Sequence, residues 1–272
     1  MLRSAALTWR GSALLHVDGK GMRLSVERIS LLKCGRVFSG RWALRGVEAT
    51  LESGKVYAVL GANGAGKSTL LRLMAGWLPL SEGRILLDES PMRPTAAHLR
   101  RKVMLLEEHT ISKNGRSPKP TDNLCSAIQD YHVDQSDLEQ EIAEWYDRLD
   151  VTSVYNKEER SMSKGQAYKI KLIGLFVVAP KVWLLDEPFS AGLDANGLKV
   201  LEEQLRMHAQ RGGIVVFTSQ WPEHARRLAD WAMVLDEGRL AWFAPPREAP
   251  SPEARVSATS SLEAVLQGLG PE

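Results

Sequence analysis

The stretch that most constrains the fold is Gly61–Thr69, which reads GANGAGKST and directly follows the apolar run Lys55–Leu60. It fits the pattern G-x-x-x-x-G-K-[ST], with Lys67 and Ser68 in the last two places. Glycines let backbone N–H groups curl around a phosphate, the lysine adds a compact positive charge, and the serine hydroxyl is an oxygen ligand for Mg²⁺. The pattern requires a strand before it and a helix after it, and both are predicted here. The residues predicted to bind a nucleotide are Gly61, Asn63, Gly64, Gly66, Lys67, Ser68 and Thr69.

A second constraint comes from Val182–Pro188, which reads VWLLDEP. Four apolar residues indicate a buried strand, and Asp186 and Glu187 follow where that strand ends. In a parallel sheet these acids would share one edge with the phosphate loop. Asp186 is suited to hold Mg²⁺ together with Ser68, and Glu187 is suited to orient and deprotonate an attacking water. The two stretches together predict hydrolysis of a nucleoside triphosphate.

Other apolar runs predict further strands, and apolar residues spaced three or four apart predict helices. The predicted strands are Leu24–Ile29, Val47–Leu51, Lys55–Leu60, Arg84–Asp88, Lys181–Asp186 and Gly213–Ser219. The predicted helices are Lys67–Gly76, Leu198–Arg211 and Ser261–Leu269, with a mostly helical, acidic stretch over 122–150. The β–α–β order predicts an α/β fold with a parallel sheet.

Composition limits the class of protein further. The chain has 272 residues, of which 44% are hydrophobic and 25% charged, as in one large globular domain. That length also fits one domain with an added subdomain. A net charge of +2 gives no argument for a nucleic-acid partner. Cys34 and Cys125 fit no metal-binding spacing, and we expect free thiols in a reducing compartment. No run reaches the roughly 18 apolar residues of a membrane span, so we expect a cytoplasmic protein that meets a membrane only through another chain.

The order of three motifs, GANGAGKST, SMSKGQ and VWLLDEPFSAGLD, resembles the nucleotide-binding subunit of an ABC transporter. The resemblance covers roughly Leu24 to Leu240. It implies a P-loop NTPase fold of the ABC type with an inserted helical subdomain, an ATPase activity, and ATP and Mg²⁺ as cofactors. It also implies two partners, namely a second ABC ATP-binding subunit (a homodimer or a paralogue) and an integral membrane permease subunit. The expected location is the cytoplasmic face of the membrane, held there through the permease.

In that family a stretch resembling L-S-G-G-Q opens a helix and binds the ATP held by the partner subunit. The matching stretch here is Met162–Gln166, with Ser163, Gly165 and Gln166 as the residues expected to act in trans. Met162 replaces the usual Leu and Lys164 replaces the usual first Gly. Asp194 is the acidic member of a loop that resembles the one crossing the dimer interface.

The resemblance also implies an aromatic residue that stacks on adenine. Phe38 is assigned to this role, with Trp42 as the rival. The family usually has a Gln at a strand end, where it touches Mg²⁺ and senses the transmembrane partner. In KVMLLEEHT the position is taken by Glu107 or Glu108, and Glu108 is the residue assigned to the metal.

A further departure concerns a His that contacts the γ-phosphate in the family. Gln220 stands there in FTSQWPEH, and it can donate a hydrogen bond but carries no charge. We therefore expect slower hydrolysis than in a relative that has the His. His224 is expected on the next helix, facing away.

The predicted organisation has three parts: an N-terminal extension over 1–22, an ATP-binding domain over 23–243, and a linker with a C-terminal helix over 244–272. The helical subdomain is placed at about 109–180. Ser261–Leu266 resembles an ending common in exporter subunits, which favours export. Two alternatives stay open at this point: a soluble ABC ATPase of an assembly or regulatory complex, and a non-hydrolysing module gated by ATP.

Overall fold

A mixed six-stranded sheet forms the centre of the protein in a computed structural model, which describes residues 26–107, 138–155, 157 and 161–246. Its strands are β3 (Lys55–Leu60), β6 (Val103–Leu106), β7 (Val182–Leu185), β8 (Ile214–Ser219), β9 (Trp231–Asp236) and β10 (Arg239–Ala244). They lie in the order β10-β9-β3-β8-β7-β6. The five strands from β9 to β6 are parallel, and β10 runs antiparallel to β9. The predicted parallel sheet is therefore confirmed.

A second, antiparallel sheet has four strands in the described part of the chain. They are β1 (Arg28–Phe38), β2 (Arg41–Glu52), β4 (Glu82–Leu87) and β5 (Ser90–Pro91), in the order β2-β1-β4-β5. The prediction of a strand over Leu24–Ile29 was wrong in extent, because β1 continues to Phe38. Register shifts and the left-handed backbone of Lys33 (φ 50°) interrupt its alternating pattern.

The described helices surround these sheets. They are α1 (Lys67–Met74), α2 (Ala97–Arg100), α3 (Leu138–Arg148), α4 (Lys164–Val178), α5 (Ala195–Gln210) and α6 (Pro222–Leu228). Short 3₁₀ turns cover Thr152–Val154 and Pro188–Ser190. No described helix has the length and apolarity that crossing a bilayer would require.

The six-stranded sheet separates two hydrophobic cores. Along β3, Val56, Ala58 and Leu60 pack into one core with α3 to α6, whereas Tyr57 and Val59 pack into the other with α1 and the antiparallel sheet. Successive side chains of a strand point to opposite faces, so a strand covered on both sides is apolar throughout. This is why the continuous runs VYAVL, VWLL and IVVF predicted central strands correctly.

Most predicted elements recur with shifted ends. α1 ends near the predicted Gly76, whose left-handed backbone (φ 67°) stops the helix. α5 begins three residues before the predicted Leu198, because Asp194 caps it. The described helices α3 and α4 fall within the predicted helical subdomain, whose boundaries stay predictions. The predicted helix Ser261–Leu269, Cys125 and the residues before 26 lie outside the described part of the chain.

Candidate functional site

The candidate site lies where the parallel strands of the central sheet end. Leu60 at the end of β3 pairs with Ser219 of β8, and Leu185 at the end of β7 pairs with Phe217 of β8. The segments that follow these three strands therefore start at one edge. The phosphate loop, the Asp-Glu pair and the Gln220 segment are brought together as the sequence predicted.

Glycine is required at two points of the phosphate loop. Gly61 has φ 149°, and a Cβ there would lie 2.4 Å from the Leu235 carbonyl oxygen. Gly66 has φ 103°, and a Cβ there would lie 2.6 Å from the Ala43 carbonyl oxygen. Gly66 also caps α1 without a side-chain hydrogen bond. Because glycine has no side-chain oxygen, the N–H groups in the first turn of α1 have no capping acceptor, and amides of this kind bind anions.

The other residues of the predicted phosphate loop lie at its tip and in the first turn of α1. Asn63 and Gly64 are exposed at its tip. Ser68 and Thr69 are half-buried in the first turn of α1. A phosphate in the loop would therefore meet backbone amides and two hydroxyl groups.

Lys67 is folded back onto the loop and is only 6% exposed. Its ammonium donates to the carbonyl oxygens of Gly61, at 2.8 Å, and Ala62, at 3.2 Å. Its Nζ also lies 3.3 Å from Oε1 of Glu187. The lysine thus joins the phosphate loop to the predicted catalytic acid.

Thr218 holds both acids by hydrogen bonds, and no sequence motif points to it. Its hydroxyl donates to Oδ1 of Asp186 at 2.7 Å and accepts from the backbone N–H of Glu187 at 2.8 Å. Thr218 is fully buried near the end of β8. The only signal in the sequence is a hydroxyl residue closing the otherwise apolar run GIVVF.

Glu187 has an unusual environment for a carboxylate. Its backbone is left-handed (φ 49°), which turns the chain sharply after β7 into the Pro188–Ser190 turn. Its Oε1 is buried and has no hydrogen-bond partner among the described residues, although Lys67 lies within ion-pair distance. Buried polar atoms without a hydrogen-bond partner are uncommon in folded proteins, and a ligand or a water is the usual reason for one.

Gln220 is exposed directly after β8, at the position predicted from the sequence. His224 lies on α6, as expected, and its ring contacts the end of β8 and the turn after β7. Its Nδ1 lies 2.9 Å from the Ser219 hydroxyl, and its ring packs on Phe189 with centroids 4.3 Å apart. Burial lowers the pKa of His224, and nearby Arg227 lowers it further.

The stretch predicted to act in trans forms the start of α4. Ser163 is its N-cap, with a reciprocal pair of hydrogen bonds: Gln166 N–H donates to the Ser163 hydroxyl, and Ser163 N–H donates to the Gln166 side chain. Gly165 is buried, and a Cβ there would lie 2.1 Å from the Gly192 carbonyl oxygen. Gln166 therefore has a capping role within its own chain, whereas Ser163 and Lys164 are exposed.

Asp194 caps α5, since one carboxylate oxygen accepts from Gly197 N–H at 2.7 Å. The other accepts from the ammonium of Lys169, also at 2.7 Å. The hydrogen bond from Lys169 is the main reason why the pKa of Asp194 is lowered. The loop from Glu187 to Asp194 thus runs from the predicted catalytic acid to a fixed helix start.

Both candidate adenine-stacking residues are 41% exposed at the turn between β1 and β2. The Arg36 guanidinium covers the Phe38 ring at 4.8 Å, and the Arg45 guanidinium covers the Trp42 ring at 5.3 Å. Ala43, the neighbour of Trp42, touches the phosphate loop at Gly66. The hairpin is therefore close to the loop, and Phe38 and Trp42 both stay candidates.

Of the two candidate acids after β6, Glu107 is described and Glu108 lies outside the described residues. Glu107 accepts from Arg72 Nε at 2.5 Å, and it is largely buried. Within the described ranges no three His, Cys, Asp or Glu residues group as metal ligands. Ser68 and Asp186 nevertheless suit Mg²⁺, which needs few protein ligands when phosphates supply the rest.

Comparison with known proteins agrees with this geometry. The family model described as ABC transporter matches residues 44–190. An uncharacterized ABC transporter ATP-binding protein, YhaQ of Bacillus subtilis (strain 168), is 30% identical over 206 residues. The match covers 75% of this chain and 66% of that relative, so the chain spans just under two thirds of the relative's length.

Solved structures show the same fold. An ATP-binding subunit of an ABC transporter superposes with a TM-score of 0.76 at 19% identity, covering 89% of this chain and 98% of that one. CbiO1 of Clostridium perfringens, part of the ABC transporter complex cbiONQ, gives 0.65 at 26% identity, covering 81% and 89%. Because the family model matches more than half of the chain and the site carries the motifs in their expected places, the chain belongs to the ABC transporter family of ATP-binding proteins.

Proposed function

We propose that this chain binds and hydrolyses ATP as the subunit that drives an ABC exporter through a separate membrane permease. The observation that carries the proposal is the group formed by Lys67, Glu187, Thr218 and Asp186 at one sheet edge. It joins a phosphate-binding lysine to a half-buried carboxylate whose Oε1 accepts no hydrogen bond within the described part of the chain. This arrangement suits a hydrolytic base better than a site that only binds nucleotide.

The phosphates are held by the loop itself. Amides of the loop and of the first turn of α1 point at the triphosphate, and the positive end of α1 adds to their effect. Lys67 places its charge on the β- and γ-phosphates. Mg²⁺, bound by Ser68 and Asp186, would neutralise charge on the phosphate oxygens.

Glu187 orients a water for in-line attack on the γ-phosphorus and accepts its proton. The bond from phosphorus to the β-bridging oxygen breaks, which leaves ADP and inorganic phosphate. Thr218 fixes the backbone of Glu187 and the carboxylate of Asp186, so both acids keep their positions while the bond breaks. Gln220 donates a neutral hydrogen bond to the γ-phosphate, which stabilises the transition state less than a charged His would.

We propose that a second ABC ATP-binding subunit completes each site. Ser163 and Gly165 of one subunit would face the ATP held by the other, with the start of α4 adding its positive end. Ser163 is exposed and keeps its hydroxyl proton available, because in the cap it acts as an acceptor. Closure of the two subunits would then act on the permease.

Support for a membrane partner comes from relatives. CbiO1 is described as part of the complex cbiONQ, and the Bacillus subtilis relative is named an ABC transporter ATP-binding protein. Export is favoured only by the ending Ser261–Leu266, which lies outside the described residues.

The first experiment substitutes Glu187→Gln, which removes the base and keeps the shape. ATPase activity should fall about 100-fold or more, because a positioned general base contributes about that much. Binding of a fluorescent ATP analogue should persist, because Lys67 and the loop amides are unchanged. Glu203→Gln, which alters an exposed acid paired with Arg148, is the matched control. Undiminished hydrolysis in Glu187→Gln would contradict the assignment.

The second experiment tests whether the chain binds a membrane permease. Tagged Glu187→Gln protein, held with Mg-ATP, is used to capture binding partners from detergent-solubilised membranes of its host. Recovery of a multi-span membrane protein would support the transporter. Recovery of soluble partners alone, repeated without detergent, would favour the assembly or regulatory ATPase instead.

A further inference from the structure

Lys169 is a buried cation that the hydrolytic mechanism does not use. It lies in the second turn of α4, and its side chain is 5% exposed. The ammonium donates to the Leu149 carbonyl oxygen at 2.7 Å and to Oδ2 of Asp194 at 2.7 Å. It therefore joins three segments: the end of α3, the signature helix α4, and the loop that leads from Glu187.

Two further contacts hold the same loop against α4. Lys164 Nζ donates to the Ser190 carbonyl oxygen at 3.1 Å. Gly165 approaches Gly192 so closely that a Cβ would lie 2.1 Å from the Gly192 oxygen. Contacts at Ser190, Gly192 and Asp194 thus follow one another along the loop, and Lys169 makes the last of them.

Breaking the Lys169–Asp194 pair would cost more free energy at Lys169 than at Asp194. A buried ammonium must keep its partners, since an uncompensated charge in the interior is costly. Asp194 is 59% exposed, so water would solvate it if the pair were broken. Lys169 is therefore the fixed end of the contact, and the loop is the end that could move.

We infer that Lys169 is a positioning residue that fixes the loop from Pro188 to Asp194 on α4 and thereby holds Glu187 in place for hydrolysis. The inference depends on the proposed function for its catalytic consequence. Because the same helix carries the signature residues, Lys169 also links the part of the subunit that would face the partner's ATP to the acid that acts on its own ATP. Loss of this link should lower the rate of hydrolysis without weakening nucleotide binding.

The test uses three variants of the full chain. Lys169→Met removes the charge and keeps an unbranched side chain of similar length. Asp194→Asn keeps an oxygen for capping α5 but presents an amide N–H₂ to Lys169, so it breaks the link from the other side and leaves the ammonium with the Leu149 carbonyl oxygen. Lys169→Arg keeps the charge. Arg148→Met is the matched control, because the Arg148 side chain also joins α3 to α5, through its ion pair with Glu203 and not through the Lys169–Asp194 contact.

Lys169→Met and Asp194→Asn should each lower kcat about tenfold, with KM and ATP-analogue binding within about twofold of wild type. The double variant should be no slower than the slower single variant, because both remove one contact. Lys169→Arg should restore most of the rate, and Arg148→Met should leave it unchanged. An unchanged kcat in Asp194→Asn, or a fall matched by lost ATP binding, would overturn the inference.

A measurement that needs no hydrolysis separates this inference from the proposed function. Amide hydrogen exchange over 189–194 should become about tenfold faster in Lys169→Met and Asp194→Asn than in wild type. The same amides should be unaffected in Arg148→Met. Unchanged exchange would overturn the inference even if the chain hydrolyses ATP, and faster exchange would support it even if the chain does not.

Discussion

At the scale of single residues, the Thr218 hydroxyl fixes the relative positions of the two acids at the candidate site. It donates to Asp186 and accepts from the Glu187 backbone, so one atom sets the spacing of the two acids. Glu187 itself stands in a left-handed conformation, which is unfavourable for a residue with a Cβ. The strain is tolerated because the Thr218 hydrogen bond and the Pro188–Ser190 turn hold the backbone from both sides.

Substitution of Gln220 tests whether a positively charged donor at this position would speed hydrolysis. Gln220→His should raise kcat about fivefold, because a charge-assisted hydrogen bond to the γ-phosphate exceeds a neutral one by about 1 kcal/mol. Steady-state ATPase kinetics from pH 6 to 8 measure the effect, and the gain should be larger at the acidic end, where more of the His is protonated. Gln220→Asn serves as the neutral control. A variant with the wild-type rate at every pH would show that Gln220 does not limit hydrolysis.

Sequence reasoning found the residues that belong to a spaced pattern and missed those defined by contact. Gly61, Lys67 and Ser68 follow from a fixed pattern, because phosphate binding demands those residue types at that spacing. Thr218 and Lys169 follow from no pattern, since their partners are distant in the chain and only the fold brings them together. The contact of His224 with Phe189 could not be predicted for the same reason, since Phe189 comes from another segment.

At the scale of elements, the packing of α4 on the loop before α5 depends on Gly165, because glycine has no side chain. Gly165→Ala would place a Cβ 2.1 Å from the Gly192 carbonyl oxygen, which backbone cannot avoid without moving. We expect the free energy of unfolding to fall by about 1–3 kcal/mol, as in other overpacked positions. Urea denaturation followed by circular dichroism measures this.

The control for that substitution is Gly40→Ala. Gly40 has positive φ (79°) but open space where a Cβ would lie, so only backbone strain is added, about 1 kcal/mol. A Gly165→Ala protein that unfolds at the wild-type urea concentration would contradict the close approach of α4 and the loop. Because Gly165 is also expected near the partner's ATP, stability rather than ATPase activity is the decisive readout.

The predicted bounds match the observed bounds better for some elements than for others, and the reason is physical. Strands covered on both faces, such as β3, β7 and β8, are continuous apolar runs, and the sequence located each to within one residue. β1 alternates and is interrupted by register shifts, so its second half, with exposed Phe38, gave no periodic signal. The start of α5 was displaced because the Asp194 cap precedes its first apolar residue.

At the scale of the whole molecule, the central sheet contributes side chains to both hydrophobic cores, so the stability of the fold depends on the packing of both. β7 contributes to both, since Trp183 and Leu185 face the helical side and Val182 and Leu184 the other. His208 of α5 closes the helical side over Trp183, with ring centroids 4.0 Å apart and nearly parallel planes. Its Nε2 lies 3.2 Å from the Lys181 carbonyl oxygen, to which it donates. An ionisable ring is thus packed against the strand that leads to Asp186.

This packing predicts a loss of stability in mild acid. Burial lowers the pKa of His208 from 6.5 to about 4, so the unfolded chain binds more protons than the folded chain between these values. Stability is therefore complete above pH 6.5 and declines as the pH falls toward 4. Between pH 7.5 and pH 5 the contribution of His208 amounts to about 2 kcal/mol.

Urea unfolding of wild type and His208→Gln at both pH values measures this contribution. The glutamine can still donate to Lys181 but does not titrate, so the difference between the two pH values should shrink by about 2 kcal/mol in the variant. His98→Gln, which changes an exposed ring on α2, should leave the difference as in wild type. If His208→Gln loses as much stability in acid as wild type does, then the proton that destabilises the fold is bound elsewhere and the packing of His208 against Trp183 does not control it.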